Sequence, residues 1–302
     1  MTSTWRPRFV CPECRLPASG VDCLRCDVCG RLFELQAGIY RFLPASRPGL
    51  WDAFVEQYRL VREREGYRAD APDYYRRLPS VPQADPAASI WRIRRESYSH
   101  LLRHALPAVW RGPIRVLDLG AGCGWLSHRL ASFGHQVVSV DRLDDERDGL
   151  GVCRHYPVAI TAVQADFEVL PFEAGQFDLV VFDAALHYAQ EPARTLAETA
   201  RVLNAGGVLA VVDSPMFADD DTGRAMVADE SQRLCEEHGV RDAVRPGLGY
   251  LTFELLERAA AALNFRSRFV PSTGPLGWRA RRQMARWRIR RSPASFGVWV
   301  AG

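Results

Sequence analysis

The chain has 302 residues, 47% of them hydrophobic and 25% charged, an ordinary globular composition long enough for one sizeable core and an appendage. A net charge of +3 is too small to imply nucleic acid by itself, and all 39 basic residues are arginine, which excludes lysine chemistry such as a Walker lysine or a Schiff base. The first ten residues lack the apolar core of a secretory signal, and no run approaches the roughly twenty apolar residues of a spanning helix, so the expectation is a cytoplasmic protein without a transmembrane segment.

Five of the eight cysteines fall in the first tenth of the chain. Cys11-Pro-Glu-Cys14 and Cys26-Asp-Val-Cys29 form two C-x2-C knuckles eleven residues apart. In a cytosolic protein such cysteines are rarely paired, and each tight turn presents two thiolates to one tetrahedral ion, so Cys11, Cys14, Cys26 and Cys29 are candidate ligands of a structural Zn2+. Cys23 also stands in a C-x2-C with Cys26, but Cys29 has the usual knuckle glycine, Gly30, after it, and Cys23 is left out of the set. The stretch from Gly30 to Pro44 resembles the tail of small zinc ribbons found on some methyltransferases. A ribbon spanning 7–44 is too small to bury a core alone, so metal binding is expected to supply its folding free energy. Replacing Cys11 or Cys29 with Ser is then expected to unfold the ribbon and leave cofactor affinity largely intact.

Ser46 to Gly49 reads as a linker and 50–106 as a helical lid. Leu50 to Glu65 places Trp51, Phe54, Val55, Tyr58 and Val61 on one helical face, Ala71 to Pro86 reads as a loop, and Pro86 to Leu106 as a second helix. Tyr58, Tyr67, Tyr74, Tyr75 and Trp91 either line a substrate pocket or are plain core.

The most informative stretch runs from Arg115 to Asp141. It reads as a buried strand, a turn with glycine at 120, 122 and 124, a helix from Trp125 closed by Gly134, and a second strand ending in Asp141. Strand, glycine turn, helix, strand and acid bind an adenosine-containing cofactor at the carboxyl edge of a parallel sheet. A dinucleotide fold places its third glycine one position later, where this chain has Trp125, and Asp118 precedes the first glycine by two residues. This Asp-x-Gly-x-Gly-x-Gly pattern resembles motif I of the class I methyltransferases, in the type 11-like group. The implied cofactor, S-adenosyl-L-methionine, carries an amino group and a sulfonium that favour nearby acids. Asp141 is expected to accept hydrogen bonds from ribose hydroxyls.

Downstream, Leu143 to Val152 reads as a short helix and Val158 to Val163 as a third strand. Asp166 and Phe167 match the family's acid for the adenine amino group and its apolar partner for the ring. The fourth strand, Phe177 to Phe182, opens with the Phe-Asp pair typical of the family and leads to Asp183, counted among the cofactor-binding residues, and to His187. His187 is either a base for the acceptor or a histidine packed against the cofactor. Neither Asn-Pro-Pro-Tyr nor a Pro-Cys nucleophile is present. Pro192 to Leu203 reads as a helix with proline near its start. Val208 to Val212 follows as strand five, and Asp213 after it either touches substrate or caps the next helix. Asp219 to Asp221 reads as a solvated loop or cap. Thr252 caps a helix to Leu263, and strands six and seven fall at Phe265–Val270 and Phe296–Val300.

Between those last strands, Gly277 to Arg291 interleaves seven arginines with two tryptophans, either a grip on phosphate, RNA or an anionic surface or a solvated helix. The resemblance implies an α/β, Rossmann-like seven-stranded methyltransferase sheet over 107–302, with its motif core at 115–213. Three functions compete: methyl transfer to a small-molecule acceptor such as a sugar or secondary metabolite, methylation of rRNA or tRNA, and a non-catalytic module that binds S-adenosyl-L-methionine.

Overall fold

The computed structural model describes residues 5–43, 50–110, 112–272 and 292–302. The linker at 46–49 and the arginine-tryptophan stretch at 277–291 lie outside the described residues. In chain order the strands are β1 (Phe9–Val10), β2 (Pro17–Gly20), β3 (Cys23–Cys26), β4 (Leu32–Gln36) and β5 (Ile39–Arg41). Next come helices α1 (Leu50–Arg64), α2 (Pro72–Arg77), α3 (Ala88–His104) and α4 (Leu106–Val109). Strands β6 (Arg115–Leu119), β7 (Gln136–Asp141), β8 (Ile160–Gln164), β9 (Phe177–Asp183) and β10 (Leu203–Val212) follow, with α5 (Trp125–Ser132) after β6 and α6 (Pro192–Val202) after β9. The chain continues through β11 (Met216–Phe217), α7 (Asp220–His238), β12 (Leu251–Thr252), α8 (Phe253–Ala262), β13 (Ser267–Pro271) and β14 (Gly297–Ala301).

The central sheet runs β8-β7-β6-β9-β10-β14-β13. The first five strands are parallel, β14 is antiparallel to β10, and β13 is antiparallel to β14. The order reverses between β6 and β9, and a crevice opens there at the carboxyl ends of the strands. Apolar alternation decides which side each residue serves. Leu117, Leu119, Val138, Val140, Val180 and Phe182 join the side packed by α6 and α8. Val116, Val137, Leu179, Val181, Ala210 and Val212 join the side packed by α3, α4 and α5.

Three sequence expectations change here. The ribbon does not hang free. β5 pairs in parallel with β8, Ile39 opposite Ala162 and Arg41 opposite Gln164, so one sheet of twelve strands runs from ribbon to core. Phe9, Phe33 and Phe42 stack on one another and share a buried cluster with Phe172 and Phe177. The ribbon therefore borrows the core it cannot build. Secondly, α3 is a full layer of the fold, with Trp91 and Leu101 buried against the sheet, while α1 lines the crevice. Tyr67, Tyr75 and Trp91 are core, and Tyr75 closes its hydroxyl onto the Ala69 and Arg147 carbonyls. Residues 72–77, read as loop, form α2. Thirdly, Leu143–Val152 is not a helix; Asp145 folds it into a turn by accepting the Arg147 and Asp148 N–H groups, and a 3-10 turn follows at Leu150–His155.

Other expectations hold. Thr252 Oγ1 accepts from Leu255 N at 3.2 Å, Gly134 follows α5 at φ 87, and Asp219 caps α7 by accepting from Thr222 N at 2.8 Å. Among the described residues, no helix is long and apolar enough to cross a membrane.

Candidate functional site

The glycine turn begins where β6 ends. Gly120, Gly122 and Gly124 all take left-handed φ, at 71, 52 and 68. A Cβ on Gly120 would lie 2.3 Å from that of Ala185, and one on Gly124 would lie 2.7 Å from Cys153 Sγ. Glycine is therefore required twice over at these two positions, by backbone and by space. Asp141, at the tip of β7, accepts Gly122 N at 2.7 Å and Leu143 N at 2.8 Å. This acid thus ties the turn to the next loop before any ligand arrives.

Beneath the turn lie two buried carboxylates on neighbouring strand ends. Asp118 Oδ2 accepts from Ser127 Oγ at 2.7 Å, and Ser139 Oγ donates to Ser127 in turn. Asp118 Oδ1 and Asp183 Oδ1 have no hydrogen-bond partner among the described residues. Burial pushes the Asp118 carboxyl up to about 7, with the negative charges of Asp183 and Asp141 adding to it. Burial also raises Asp183, against the Arg94 charge and the Trp125 indole, which lower it. The chamber they face is bounded by the glycine turn, Asp141, Leu143, Phe167 and, from the lid, Trp51, Phe54 and Tyr58. Phe167 packs edge-on to Phe182 with centroids 5.8 Å apart. Asp166 is set back from the chamber wall, its carboxylate engaged by Arg142 at 2.8 Å and by Glu168 N. Arg62 reaches down from α1 to grip Asp148 with two nitrogens, at 2.7 and 2.8 Å, and lies 3.6 Å from the Tyr67 ring centroid.

A second chamber of about 280 Å³ opens beyond Ala184 and Tyr188. It shares Phe54, Tyr58, Arg62 and Arg94 with the first and adds His187, Asp213, Glu230, Arg233, Arg245 and Phe296. His187 Nδ1 lies 3.2 Å from Ser214 Oγ. Burial lowers its imidazole to about 3, helped by the charges of Arg245 and Arg94, so the ring is neutral at pH 7.

At the far edge of the sheet the Sγ atoms of Cys11, Cys14, Cys26 and Cys29 lie within 4.8 Å of one another. Both knuckles close alike: Arg15 N donates to Cys11 O and Gly30 N to Cys26 O, with Arg15 and Gly30 at φ 59 and 71. The Cys11 and Cys29 sulfurs are 3.8 Å apart, the edge of a tetrahedron whose metal–sulfur bonds are about 2.3 Å. Cys23 is exposed on β3 and stands outside the cluster.

Residues 117–211 match the family model described as a methyltransferase domain. This segment, 117–211, therefore carries a methyltransferase domain. Over 107 residues the chain is 40% identical to an uncharacterized methyltransferase of Mycobacterium tuberculosis, covering 35% of this chain and 41% of the relative. Over 132 residues it is 32% identical to malonyl-[acyl-carrier protein] O-methyltransferase of Legionella pneumophila, covering 42% and 45%. The chain thus matches less than half the length of these curated relatives. Among solved structures, an S-adenosylmethionine-dependent methyltransferase from Mesorhizobium loti superposes with a TM-score of 0.48 at 19% identity, covering 66% of this chain and 94% of that one.

Within the methyltransferase domain, Asp118, the three glycines, Asp141, Phe167 and Asp183 meet at one chamber, Asp166 stands behind it, and His187 belongs to the second chamber. The sequence reading missed Arg62, Arg94 and Asp148, which come from segments far apart in the chain. The one available signal was the helical face of Trp51, Phe54, Val55 and Tyr58, which here roofs the chamber.

Proposed function

We propose that the protein transfers the methyl group of S-adenosyl-L-methionine to a small-molecule acceptor. One observation carries the reading: two buried carboxylate oxygens, Asp118 Oδ1 and Asp183 Oδ1, lack partners among the described residues, in a chamber whose turn has no room for a side chain at Gly120 or Gly124. Such groups suit a ligand that brings positive charge and backbone-close contact. The residues present fit this cofactor. Asp118 and Asp183 face its cationic end, Asp141 offers its remaining lone pairs to ribose hydroxyls, and Phe167 and Trp51 offer apolar faces to the ring. When bound, the cofactor supplies an electrophilic methyl on a positively charged sulfur. The chain's own work is to orient the acceptor and to exclude water, which the α1 roof and the Arg62–Asp148 clasp do. A small acceptor is favoured over RNA because the second chamber is a concave pocket of about 280 Å³ bounded by α1, α3 and α7.

The cysteine cluster fits zinc on the same terms. Four thiolates close the coordination sphere, so a structural ion with no open position is the chemistry it supports.

Asp141→Ala is expected to weaken S-adenosylhomocysteine binding by about 1–3 kcal/mol, since it removes the ribose acceptor and frees the Gly122 and Leu143 N–H groups. Calorimetry giving equal affinity for both forms would overturn the cofactor assignment. Incubating cell extract with isotopically labelled methyl donor tests the acceptor class: label in the low-molecular-mass fraction supports the reading, and label in RNA replaces it.

A further inference from the structure

Asp213 stands one residue past β10, on the strand beside β9, where Val212 pairs with Asp183. It does not cap a helix, because α7 is capped by Asp219. The residue is held at φ 52, in the left-handed region that a side chain enters only when its surroundings impose it. Asp213 N donates to Gly297 O at 3.1 Å, and Oδ1 accepts from Ser97 Oγ on α3, itself 3.2 Å from Ser272 Oγ. The side chain is more than nine-tenths buried, and Oδ2 has no hydrogen-bond partner among the described residues. Asp213 nevertheless forms part of the wall of the second chamber. One oxygen is thus fixed by a serine pair while the other, also buried, has no partner among the described residues, on a residue that lines the second chamber.

Resting on the methyl-transfer reading, we propose that Asp213 is the proton acceptor of the reaction, taking through Oδ2 the proton of a hydroxyl or N–H group on a small acceptor held in the second chamber. In that step the acceptor oxygen or nitrogen forms a bond to the methyl carbon, and the methyl–sulfur bond breaks with its electron pair going to sulfur. The proton leaves the acceptor for the Asp213 carboxylate, so S-adenosylhomocysteine, methylated acceptor and a protonated Asp213 balance the reactants.

The surroundings match the role. The groups acting on Asp213 are Asp183 from β9 and Arg94, Glu96 and Ser97 from α3. Burial first, and the Asp183 charge after it, bring its carboxyl up to about 7, while Ser97 and Arg94 pull the other way. A base of that strength is half ionised at neutral pH and still able to take a proton. His187, held to about 3 by burial and by Arg245 and Arg94, is far too weak a base at that pH. The structure therefore divides the roles the sequence left open: His187 packs beside Tyr188, with ring centroids 4.2 Å apart, and Asp213 faces the acceptor.

The test uses the full chain, labelled S-adenosylmethionine and the low-molecular-mass extract fraction that takes label. Asp213→Asn keeps the Ser97 hydrogen bond and is expected to slow transfer by about 10²–10⁴-fold, with unchanged S-adenosylhomocysteine affinity measured on the same sample. The loss should fall on kcat rather than KM. Ser97→Ala is the milder variant. Losing its hydrogen bond raises the Asp213 carboxyl further, so the rising limb of the pH–rate profile should move to higher pH, a displacement that a merely structural contact would not produce. Equal rates and an unshifted limb in variants that still bind the cofactor overturn the proton-acceptor role alone. A wild-type chain with no affinity for S-adenosylhomocysteine overturns instead the methyl-transfer reading beneath it.

Discussion

The two chambers share a wall at Ala184 and Tyr188, yet they are built by opposite means. Half of the first comes from one continuous segment, Asp118 to Asp148, in which a strand, a turn and a second strand fold locally into a cradle. The second gathers side chains from positions 54 to 296, carried by α1, α3, α7 and the ends of β9 and β10. Their chemistry differs as well. Each presents carboxylate oxygens without partners among the described residues, those of Asp118 and Asp183 in the first and of Asp213 in the second, but the second adds further arginines held in ion pairs, Arg245 by Glu230 at 3.0 Å and Arg233 by Glu65 at 3.3 Å. A fixed ligand is met by a fixed local motif, and a variable acceptor by long-range assembly, so the two chambers should respond separately to perturbation.

The largest separation is expected from zinc. Metal binding in small zinc domains is worth about 10–16 kcal/mol of apparent free energy, and chelation should remove most of the ribbon's stability. The ribbon touches the cofactor side and also the 170–176 segment and α6, where Arg8 bonds Gln176 and Arg15 bonds Glu198. Arg41 on β5 reaches Asp144 and Gln164 at 2.6 and 2.9 Å, and Gln164 donates to the Arg142 carbonyl. Hydrogen exchange after chelation should therefore lose protection at 39–43, 142–148 and 160–164 while 230–245 holds. Because β5 continues the central sheet, unfolding should begin at a lower temperature for the whole chain, without a separate ribbon transition. Uniform loss at 230–245 would break the separation.

Arg62 joins the two chambers, and its replacement sharpens the contrast. Its side chain and that of Asp148 are 11% and 3% exposed, and removing one partner of such a buried pair leaves the other charge uncompensated. Arg62→Met is expected to cost about 3–5 kcal/mol in urea unfolding. The double variant Arg62→Met, Asp148→Asn should recover part of that loss, because the stranded charge is gone. A single variant costing under about 1 kcal/mol, the range of an exposed pair, would mean that the clasp does not hold the lid.

What could be read from the residues alone follows the same division. The β6–α5–β7 unit, its glycines and its acids were legible because their spacing is dictated by a local turn, and the cysteine knuckles were legible for the same reason. Helix α7 was not, since its nineteen residues bury only Gly223, Leu234 and His238 and so show no apolar stripe. Arg94 and Trp91 sit three apart on α3, yet one reaches the chambers and the other fills the core, a choice made by the sheet beneath them. Asp166 matched a pattern, and Arg142, the residue after Asp141, engages its carboxylate, a contact between neighbouring strand ends that the pattern did not carry. Asp141 itself does more than its pattern suggested, holding the turn that the motif merely named.

The finest test of the first chamber is electrostatic and concerns Asp118, whose raised carboxyl has a counterpart in Asp213 of the second chamber. Its carboxyl titrates near 7 when folded, against roughly 3.9 when unfolded. Between those values the folded chain holds a proton that the unfolded chain has released, so this group destabilises the empty domain increasingly as pH rises and fully above about 7. Asp118→Asn keeps an acceptor for Ser127 Oγ and never ionises. Its melting temperature should exceed that of the wild type by a margin that grows from pH 5 to pH 8. The charge that costs stability in the empty chamber is the one a cationic ligand needs. S-adenosylmethionine should therefore bind the wild type more tightly across that same interval, and the variant weakly throughout. Variants of the second chamber at residues other than Asp213 should leave this pH dependence in place, and a margin that stays flat with pH would remove Asp118 from the electrostatics of the first chamber.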